Sequence, residues 1–388
     1  MAADRGRIAS LDALRGAAAL GVVLVHLSQT APPLPPDQRS EISFTNLVRL
    51  FFSLGSSGVV LFFLISGFCV HWRWAVARRN ETDNALLFLP FWKRRLRRLW
   101  PPYAIALALY LGVLTLLGRF HWNLRGFYDV GMHAFMLQNL DPRVTYSIFG
   151  AFWSLAVEAQ MYLAYFLFLA MRAKWGWKAT LLSGLGLRLG WGAFALAVPI
   201  LWPGREVGWG TSMLYSWCLF MLGALSVEIY EGVVPCAPSW NKPAPAVVCL
   251  SISFAMSTLS RVTVLTPWLE KLDWQVNELF MAAGFFITLN WAAQREPHAG
   301  WSRFLASVGV FSYSLYLTHG LVLLMCGGAW KALGVHATTA LVTGTLVGVP
   351  AALLAGRLFF QHFEKPLLRA REAGSGSARN FPMAIGGG

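Results

Sequence analysis

The amino-acid sequence predicts an all-α fold, a polytopic integral membrane helical bundle of about ten transmembrane helices. Hydrophobic residues make up 56% of the chain and charged residues only 13%, whereas an average soluble domain is ~25% charged. The few charges are clustered, and the stretches between them are apolar runs of about 20 residues, the length that crosses a bilayer as a helix.

These apolar runs define the candidate spans, and the fifth of them is glycine-rich and contains Arg188. The spans lie at about residues 9–28, 53–72, 99–118, 149–171, 179–201, 211–229, 244–262, 276–293, 304–326 and 339–361. They predict one transmembrane domain over residues 1–371. The remaining residues, 372–388, are rich in glycine and small polar residues and are predicted to be a disordered tail.

The basic residues predict the orientation of the chain. If the N-terminus lies inside, twenty Lys and Arg fall in the inner segments and nine in the outer ones. Because positive residues concentrate in cytoplasmic loops, both termini are predicted to be cytoplasmic, with the protein in the inner (plasma) membrane. This distribution also accounts for the formal charge of +14, so no nucleic-acid partner is expected. The five cysteines are scattered, and they predict neither a metal site nor a disulfide framework.

The first span, LDALRGAAALGVVLVH at residues 11–26, carries Asp12, Arg15 and His26. A charged side chain in a membrane helix costs ~2.5–3.5 kcal/mol on the insertion scale, so such groups usually face the protein interior or a water-filled cavity. Arg15 and His26 are eleven residues apart, which places them near one face of the helix, ~16 Å apart along its axis. A lone histidine in an apolar run is more often structural than catalytic, so both interpretations stay open on this pattern alone.

A dense basic cluster lies in FWKRRLRRLWPPY, residues 91–103. Attraction to anionic lipid, at ~1 kcal/mol for each basic residue, is one explanation. The other is a phosphate-bearing cytoplasmic donor, because arginine forks bind phosphate oxygens bidentately. A separate segment, SGFCVHW at Ser66–Trp72, has the small residues that are typical of close helix packing.

A fourth polar segment is FWSLAVEAQMY, residues 152–162, in which Glu158 lies near the middle of a predicted span. A buried carboxylate needs a partner or a raised pKa. An intramembrane carboxylate therefore indicates a functional site, with a structural ion pair as the alternative. His319 in SYSLYLTH and Glu364 in HFEKP are weaker signals of the same kind.

A buried histidine, a buried carboxylate and a cationic cluster are consistent with one chemistry. A histidine can take the proton of a hydroxyl while that hydroxyl attacks a thioester carbonyl. A carboxylate can orient the histidine and stabilise its cation, and arginines can hold the phosphates of coenzyme A.

These segments resemble acyltransferase family 3. The resemblance rests on Arg15 and His26 with ten residues between them, and on SGF, RLRRLWPPY, WSLAVEAQMY, SYSLYLTH and FEKP in the family's order, over residues 7–368. The family comprises polytopic membrane acyltransferases, often O-acetyltransferases that act on bacterial surface polysaccharides.

The resemblance implies roles for individual residues. His26 would be the essential catalytic histidine with Arg15 as its partner, and Glu158 would be the carboxylate of the tryptophan-serine-leucine motif. Arg95 and Arg98 match the arginine pair that handles acyl-coenzyme A. Further candidates are Arg94 and Arg97 (which have the same spacing) and Tyr103 for the donor, and Asp12, Ser66, Trp153, Ser154 and His319 for the site at large.

The function expected from this resemblance is a metal-free transfer of an acyl group, most simply acetyl, from cytoplasmic acyl-coenzyme A to a hydroxyl of a surface polysaccharide or other glycan. Two alternatives remain open. The acceptor could be a small hydrophobic molecule such as a macrolide or lipid, or the chain could be a transporter or flippase of a lipid-linked or anionic solute.

Overall fold

A computed structural model describes residues 8–35, 38, 43–82, 87–262 and 267–374 of the chain, and for 261–262, 267–274 and 370–374 it describes the backbone only. Every regular element in these ranges is helical, as predicted. The α-helices are α1 (Ala9–Thr30), α2 (Phe44–Ser53), α3 (Gly58–Arg79), α4 (Phe88–Leu116), α5 (Leu124–Ala134), α6 (Trp153–Leu201), α7 (Met213–Tyr230), α8 (Pro243–Val262), α9 (Pro267–Ala293), α10 (Gly300–Gly309), α11 (Ser312–Ala332), α12 (Ala337–Thr343), α13 (Val349–Phe359) and α14 (Lys365–Gly374). The predicted tail lies almost wholly outside the described residues.

Seven helical stretches in the described part of the chain are long and apolar enough to cross a membrane. An eighth arises if α10 and α11, which meet at a bend of 82°, together form one broken span. These helices indicate a membrane protein. The count of ten spans and the orientation of the termini stay predictions.

Helix α6 shows why spans are hard to count. It is 49 residues long, or ~74 Å at 1.5 Å per residue, more than twice the ~30 Å hydrocarbon thickness of a bilayer. Gly176 interrupts it with φ 72° and ψ −179°, a backbone conformation that residues with a Cβ avoid. The two helical segments on either side of Gly176 correspond to the predicted spans 149–171 and 179–201.

The chain divides into two compact units, and the boundary falls within α3. The first unit comprises Met1–Ile65 and Gly232–Gly388, and the second comprises Ser66–Glu231. Each unit contains part of the predicted site: α1 and α11 belong to the first unit, and α4 and α6 to the second. The single-domain boundaries given by the sequence remain a prediction.

Helix α1 is packed closely in the first unit, because glycines let neighbouring backbones approach it. A Cβ at Gly16 would overlap the carbonyl oxygen of Leu305 on α10, and one at Gly309 would overlap the carbonyl oxygen of Asp12. Further along α1, a Cβ at Gly55 would overlap the carbonyl of Gly21. Small residues at helix contacts are the usual means of close packing in membranes, and here they fix the axial position of α1.

The second unit uses the same device where α3 meets α7. A Cβ at Gly67, in the SGF segment, would overlap the carbonyl oxygen of Phe220. The close helix packing predicted from the small residues of this segment is therefore confirmed for Gly67.

Replacing Gly16 with Ala is expected to lower the stability of the protein. The added methyl must displace backbone rather than a flexible side chain, and overpacking of this kind costs ~1–3 kcal/mol. Thermal unfolding of the purified protein in detergent would measure the loss. The matched control is Gly328→Ala on α11, where a Cβ has open space; this change should be neutral or stabilising, since Ala is favoured over Gly in helices by ~0.5–1 kcal/mol. Equal unfolding temperatures for the two variants would contradict the close contact.

Candidate active site

His26 lies on α1 and meets a second histidine on α11. Its Nδ1 is 2.9 Å from the carbonyl oxygen of Val22 and 3.1 Å from Nε2 of His319. The two ring centroids are 5.0 Å apart. His26 is half-buried, and His319 is fully buried. The structure thus brings together two of the predicted site residues that are 293 positions apart in the chain.

The hydrogen bonds of this pair determine which nitrogens carry protons when both rings are neutral. A carbonyl oxygen only accepts, and a neutral imidazole has one N–H and one lone pair. His319 Nδ1 is 3.0 Å from the carbonyl oxygen of Leu315, so its proton is on Nδ1 and its Nε2 accepts. His26 likewise holds its proton on Nδ1, shared between Val22 and His319. The lone pair of His26 is therefore on Nε2.

Arg15 and Asp12 form an ion pair within α1. The Arg15 Nη1 to Asp12 Oδ1 distance is 3.0 Å, and both residues are buried. The pair explains how α1 carries a guanidinium in an apolar run, because a buried charge needs a hydrogen-bonded partner. Arg15 and His26 share one face of the helix but are ~16 Å apart along it, so any effect of Arg15 on His26 is indirect.

Glu158 on α6 accepts two hydroxyl hydrogen bonds in the second unit. Ser66 Oγ donates to its Oε1 over 2.7 Å, and the Tyr162 hydroxyl donates to the same oxygen over 2.5 Å. The structure thereby joins the SGF segment to the WSLAVE segment. Trp153 is the first residue of α6, and Ser154 Oγ donates to the Ala151 carbonyl over 3.3 Å, so both lie where that helix begins.

Arg95 connects the basic cluster to Glu158. Its guanidinium carbon lies 5.8 Å from the ring centroid of Tyr162 and 5.7 Å from that of Phe91, distances at which cation–π attraction is effective. Its Nη2 donates to the Cys69 carbonyl over 3.4 Å. Arg95, Tyr162, Glu158 and Ser66 therefore form one polar cluster, which we call the Glu158 cluster.

The other basic residues of α4 differ in exposure. Arg94 and Arg98 are half-buried like Arg95, whereas Arg97 is exposed. Arg94 also lies within electrostatic range of Arg73 and Arg95. Like charges held close together repel, and an anion such as phosphate relieves that repulsion.

Tyr103 lies in the interior of the second unit rather than at the basic cluster. Its side chain is fully buried, and its hydroxyl donates to the His133 carbonyl over 3.1 Å. It follows Arg95 by eight residues on α4, or ~12 Å along the axis.

A buried ion-pair network in the second unit, centred on Glu228 of α7, was not predicted from the sequence. His71 Nε2 lies 3.0 Å from Glu228 Oε1, and Arg172 Nη2 donates to Oε2 over 2.7 Å. Trp177 Nε1 donates to Oε2 over 2.8 Å, and Tyr165 lies 2.9 Å from His71 Nδ1. The signal was available, because Glu228 is a carboxylate within an apolar run and His71 lies within SGFCVHW.

Glu364, the last residue of the π-helical turn Phe360–Glu364, joins two further motifs. Ser314 Oγ donates to Glu364 Oε2 over 2.5 Å, and both side chains are buried. This bond connects SYSLYLTH to FEKP within the first unit. π-helical turns often occur at functional sites, and this turn directs a carboxylate inward.

An apolar cavity of about 240 Å³ lies along α1 in the first unit. Ala17, Gly21 and Leu24 line it from α1, together with Phe51 and Phe285. At 100° per residue, these α1 positions face away from His26. The cavity therefore lies on the opposite side of α1 from the candidate catalytic nitrogen.

In the segment between α4 and α6, outside the candidate spans, Asp141 accepts from Arg143 over 2.6 Å and from the Tyr128 hydroxyl over 2.8 Å. The Arg143 guanidinium lowers the pKa of Asp141 well below its usual range. The carboxylate is ionised at neutral pH, and its contribution to stability is lost only as the pH falls through that low pKa.

Across the residues that the structure describes, no group of three His, Cys, Asp or Glu side chains could hold a metal ion.

Comparison with known proteins gives one family. The family model described as an acyltransferase domain matches residues 8–357. Two similar proteins, from Staphylococcus aureus strains COL and MSSA476, are each named "putative O-acetyltransferase" and are 29% identical to this chain over 166 and 163 residues. These alignments cover 40% and 39% of this chain but only 24% and 23% of the relatives, so the chain matches about a quarter of their length. No solved structure matches.

Replacing Glu228 with Gln is expected to destabilise the protein strongly. The change leaves the half-buried Arg172 guanidinium without the buried carboxylate that it pairs with, and breaking a buried pair costs on the order of 3 kcal/mol. Thermal unfolding in detergent would measure this, with Glu206→Gln as the control, because Glu206 is exposed. If both variants unfold at the wild-type temperature, Glu228 is not the structural centre of this network.

Proposed function

The chain belongs to acyltransferase family 3, and from this premise we propose that it is an integral membrane O-acyltransferase. The donor is acyl-coenzyme A, most simply acetyl-coenzyme A, reaching the protein from the cytoplasm. The acceptor is a hydroxyl of a surface polysaccharide or other glycan. The names of the Staphylococcus aureus relatives support O-acetyl transfer.

The observation that carries the proposal is the protonation pattern of His26. Because its Nδ1–H is held by Val22 and His319, its Nε2 keeps the lone pair that a general base needs. In the proposed reaction the acceptor oxygen bonds to the thioester carbonyl carbon and the carbon–sulfur bond breaks. The hydroxyl proton moves to His26 Nε2, and the departing thiolate takes a proton to become the free thiol.

The donor is proposed to bind at Arg95 and Arg98. Both are half-buried, and partly buried guanidinium groups bind phosphate oxygens more strongly than fully solvated ones. Arg95 also stacks near Tyr162 in the Glu158 cluster. The alternative spacing, Arg94 with Arg97, includes an exposed residue, which favours the first pair.

Glu158 is proposed as a site carboxylate. The hydroxyl groups of Ser66 and Tyr162 donate to it; they carry no charge of their own and can rotate toward another acceptor. This distinguishes it from Glu228, whose partners are a guanidinium, an indole and an imidazole. A carboxylate held by hydroxyls can still accept or share a proton.

Replacing His26 with Ala should reduce acyl transfer from labelled acetyl-coenzyme A by at least ~100-fold, the lower range for loss of general-base catalysis. The assay requires purified protein and a hydroxyl acceptor, with release of free coenzyme A measured in parallel. The control is His362→Ala, since His362 also bonds the carbonyl four residues before it but is exposed. Full activity of the His26 variant would remove this residue from the mechanism.

Replacing both Arg95 and Arg98 with Gln should raise the KM for acyl-coenzyme A by ~10-fold or more, because charge-assisted bonds to phosphate contribute ~1.5–3 kcal/mol each. The double change Arg94→Gln with Arg97→Gln is the discriminating comparison, and we expect a smaller rise in KM. Arg303→Gln, an exposed position on α10, controls for loss of positive charge. A larger effect at Arg94 and Arg97 would assign the donor to the other pair.

A further inference from the structure

The proposed reaction uses His319 only as a hydrogen-bond partner of His26 and gives it no part in proton transfer. The reaction employs His26 Nε2, while the opposite nitrogen, Nδ1, lies 3.1 Å from His319 Nε2. Resting on the proposed function, we propose that His319 is a positioning residue that acts through His26. It accepts the hydrogen bond from His26 Nδ1–H, and it takes that proton when His26 has received the hydroxyl proton on Nε2.

The protonation state of His319 makes this role chemically available. Its Nδ1 bonds the Leu315 carbonyl over 3.0 Å, so the neutral ring presents a lone pair at Nε2, the atom that faces His26. The Val22 carbonyl also holds His26 Nδ1–H, but an amide oxygen accepts a hydrogen bond without accepting the proton at accessible pH. The second imidazole can accept both, and this is what it adds to the backbone contact.

The proton transfers balance without a further reactant. As the acceptor hydroxyl attacks, its proton moves to His26 Nε2, and the His26 Nδ1 proton moves to His319 Nε2. His319 then carries two N–H groups, with its Nδ1–H still bonded to Leu315. When the thiolate leaves, His26 gives its Nε2 proton to sulfur and regains its Nδ1 proton from His319. Both histidines return to their starting state.

The packing of α11 against α1 keeps the two rings in register. Leu315, one turn before His319, is fully buried in a cluster with Ala19 and Val23 of α1. On its other side, a Cβ at Gly356 would press on the Leu315 backbone. The backbone that carries His319 is therefore fixed on two sides, so the 3.1 Å contact does not depend on the flexible end of a long side chain.

Three variants test the proposal, and kcat and KM are measured for each of them by varying the concentrations of donor and acceptor. His319→Leu removes both the hydrogen bond and the proton acceptor, and its kcat should fall by ~100-fold while the KM values for donor and acceptor stay within about twofold of wild type. His319→Gln can accept the hydrogen bond but cannot take the proton, so its kcat should fall by ~10-fold, between wild type and the Leu variant. Thr318→Val, at a buried neighbour whose hydroxyl bonds its own helix, should leave kcat unchanged.

The outcomes separate the possible roles. A wild-type kcat in His319→Gln would overturn the proton transfer, and a wild-type kcat in His319→Leu would overturn any role of His319 in catalysis. If the variants with lower kcat also unfold at a lower temperature and have raised KM values, His319 is purely structural. That result would also overturn the proposal. Thermal unfolding and acetyl-coenzyme A binding are therefore measured for each variant.

Failure of this inference is distinguishable from failure of the proposed function. If wild-type protein transfers no acyl group from acetyl-coenzyme A, the proposed function itself is wrong. If wild type is active and His26→Ala is inactive while His319→Leu keeps full kcat, only the role of His319 is wrong.

Discussion

A charged or ionisable side chain within an apolar helix must find its partner inside the protein, because hydrocarbon offers none. This constraint joins segments that are far apart in the sequence. It pairs Ser66 with Glu158 across 92 positions, and Ser314 with Glu364 across 50. It also brings His319 to His26 across 293 positions. Each of these short polar motifs therefore supplies one partner of a contact whose other partner lies in a different motif. A single motif on its own consequently says little about function.

The chemistry of each partner separates structural carboxylates from candidate functional ones. Glu228 accepts from a guanidinium, and this compensates its charge and ties it to one geometry. Glu158 accepts from the Ser66 and Tyr162 hydroxyls, and the Arg95 guanidinium carbon lies 5.8 Å from the centroid of the Tyr162 ring. Hydroxyl donors satisfy a carboxylate without neutralising it. A carboxylate of this kind keeps an electrostatic influence on its surroundings, and this supports the site role proposed for Glu158.

The sequence predicted the helical class and the presence of buried polar groups, because both follow from composition and local pattern. It did not predict which groups meet. The resemblance makes Arg15 a partner of His26, and that role stays a prediction; the structure adds an ion pair between Arg15 and Asp12, one turn away on the same helix, which spacing alone did not predict. The pairing of His71 with Glu228 depends on how α3 and α7 cross, and spacing along one helix carries no information about that. Tyr103 follows a basic run in sequence, and its full burial could not be predicted from that position; its role in donor binding stays a prediction.

The glycine contacts around α1 determine whether the histidine pair can form at all. A shift of α1 by one residue moves His26 by ~1.5 Å along the axis and rotates it by ~100°, which is enough to break a 3.1 Å hydrogen bond. Backbone contacts at Gly16 and Gly21 leave no room for such a shift, since their neighbours are carbonyl groups and Cα atoms rather than movable side chains. Interiors packed in this way are stiff. Glycines thus determine how the two imidazoles are placed. A substitution at Gly16 would shift α1 and thereby change the distance between His26 and His319.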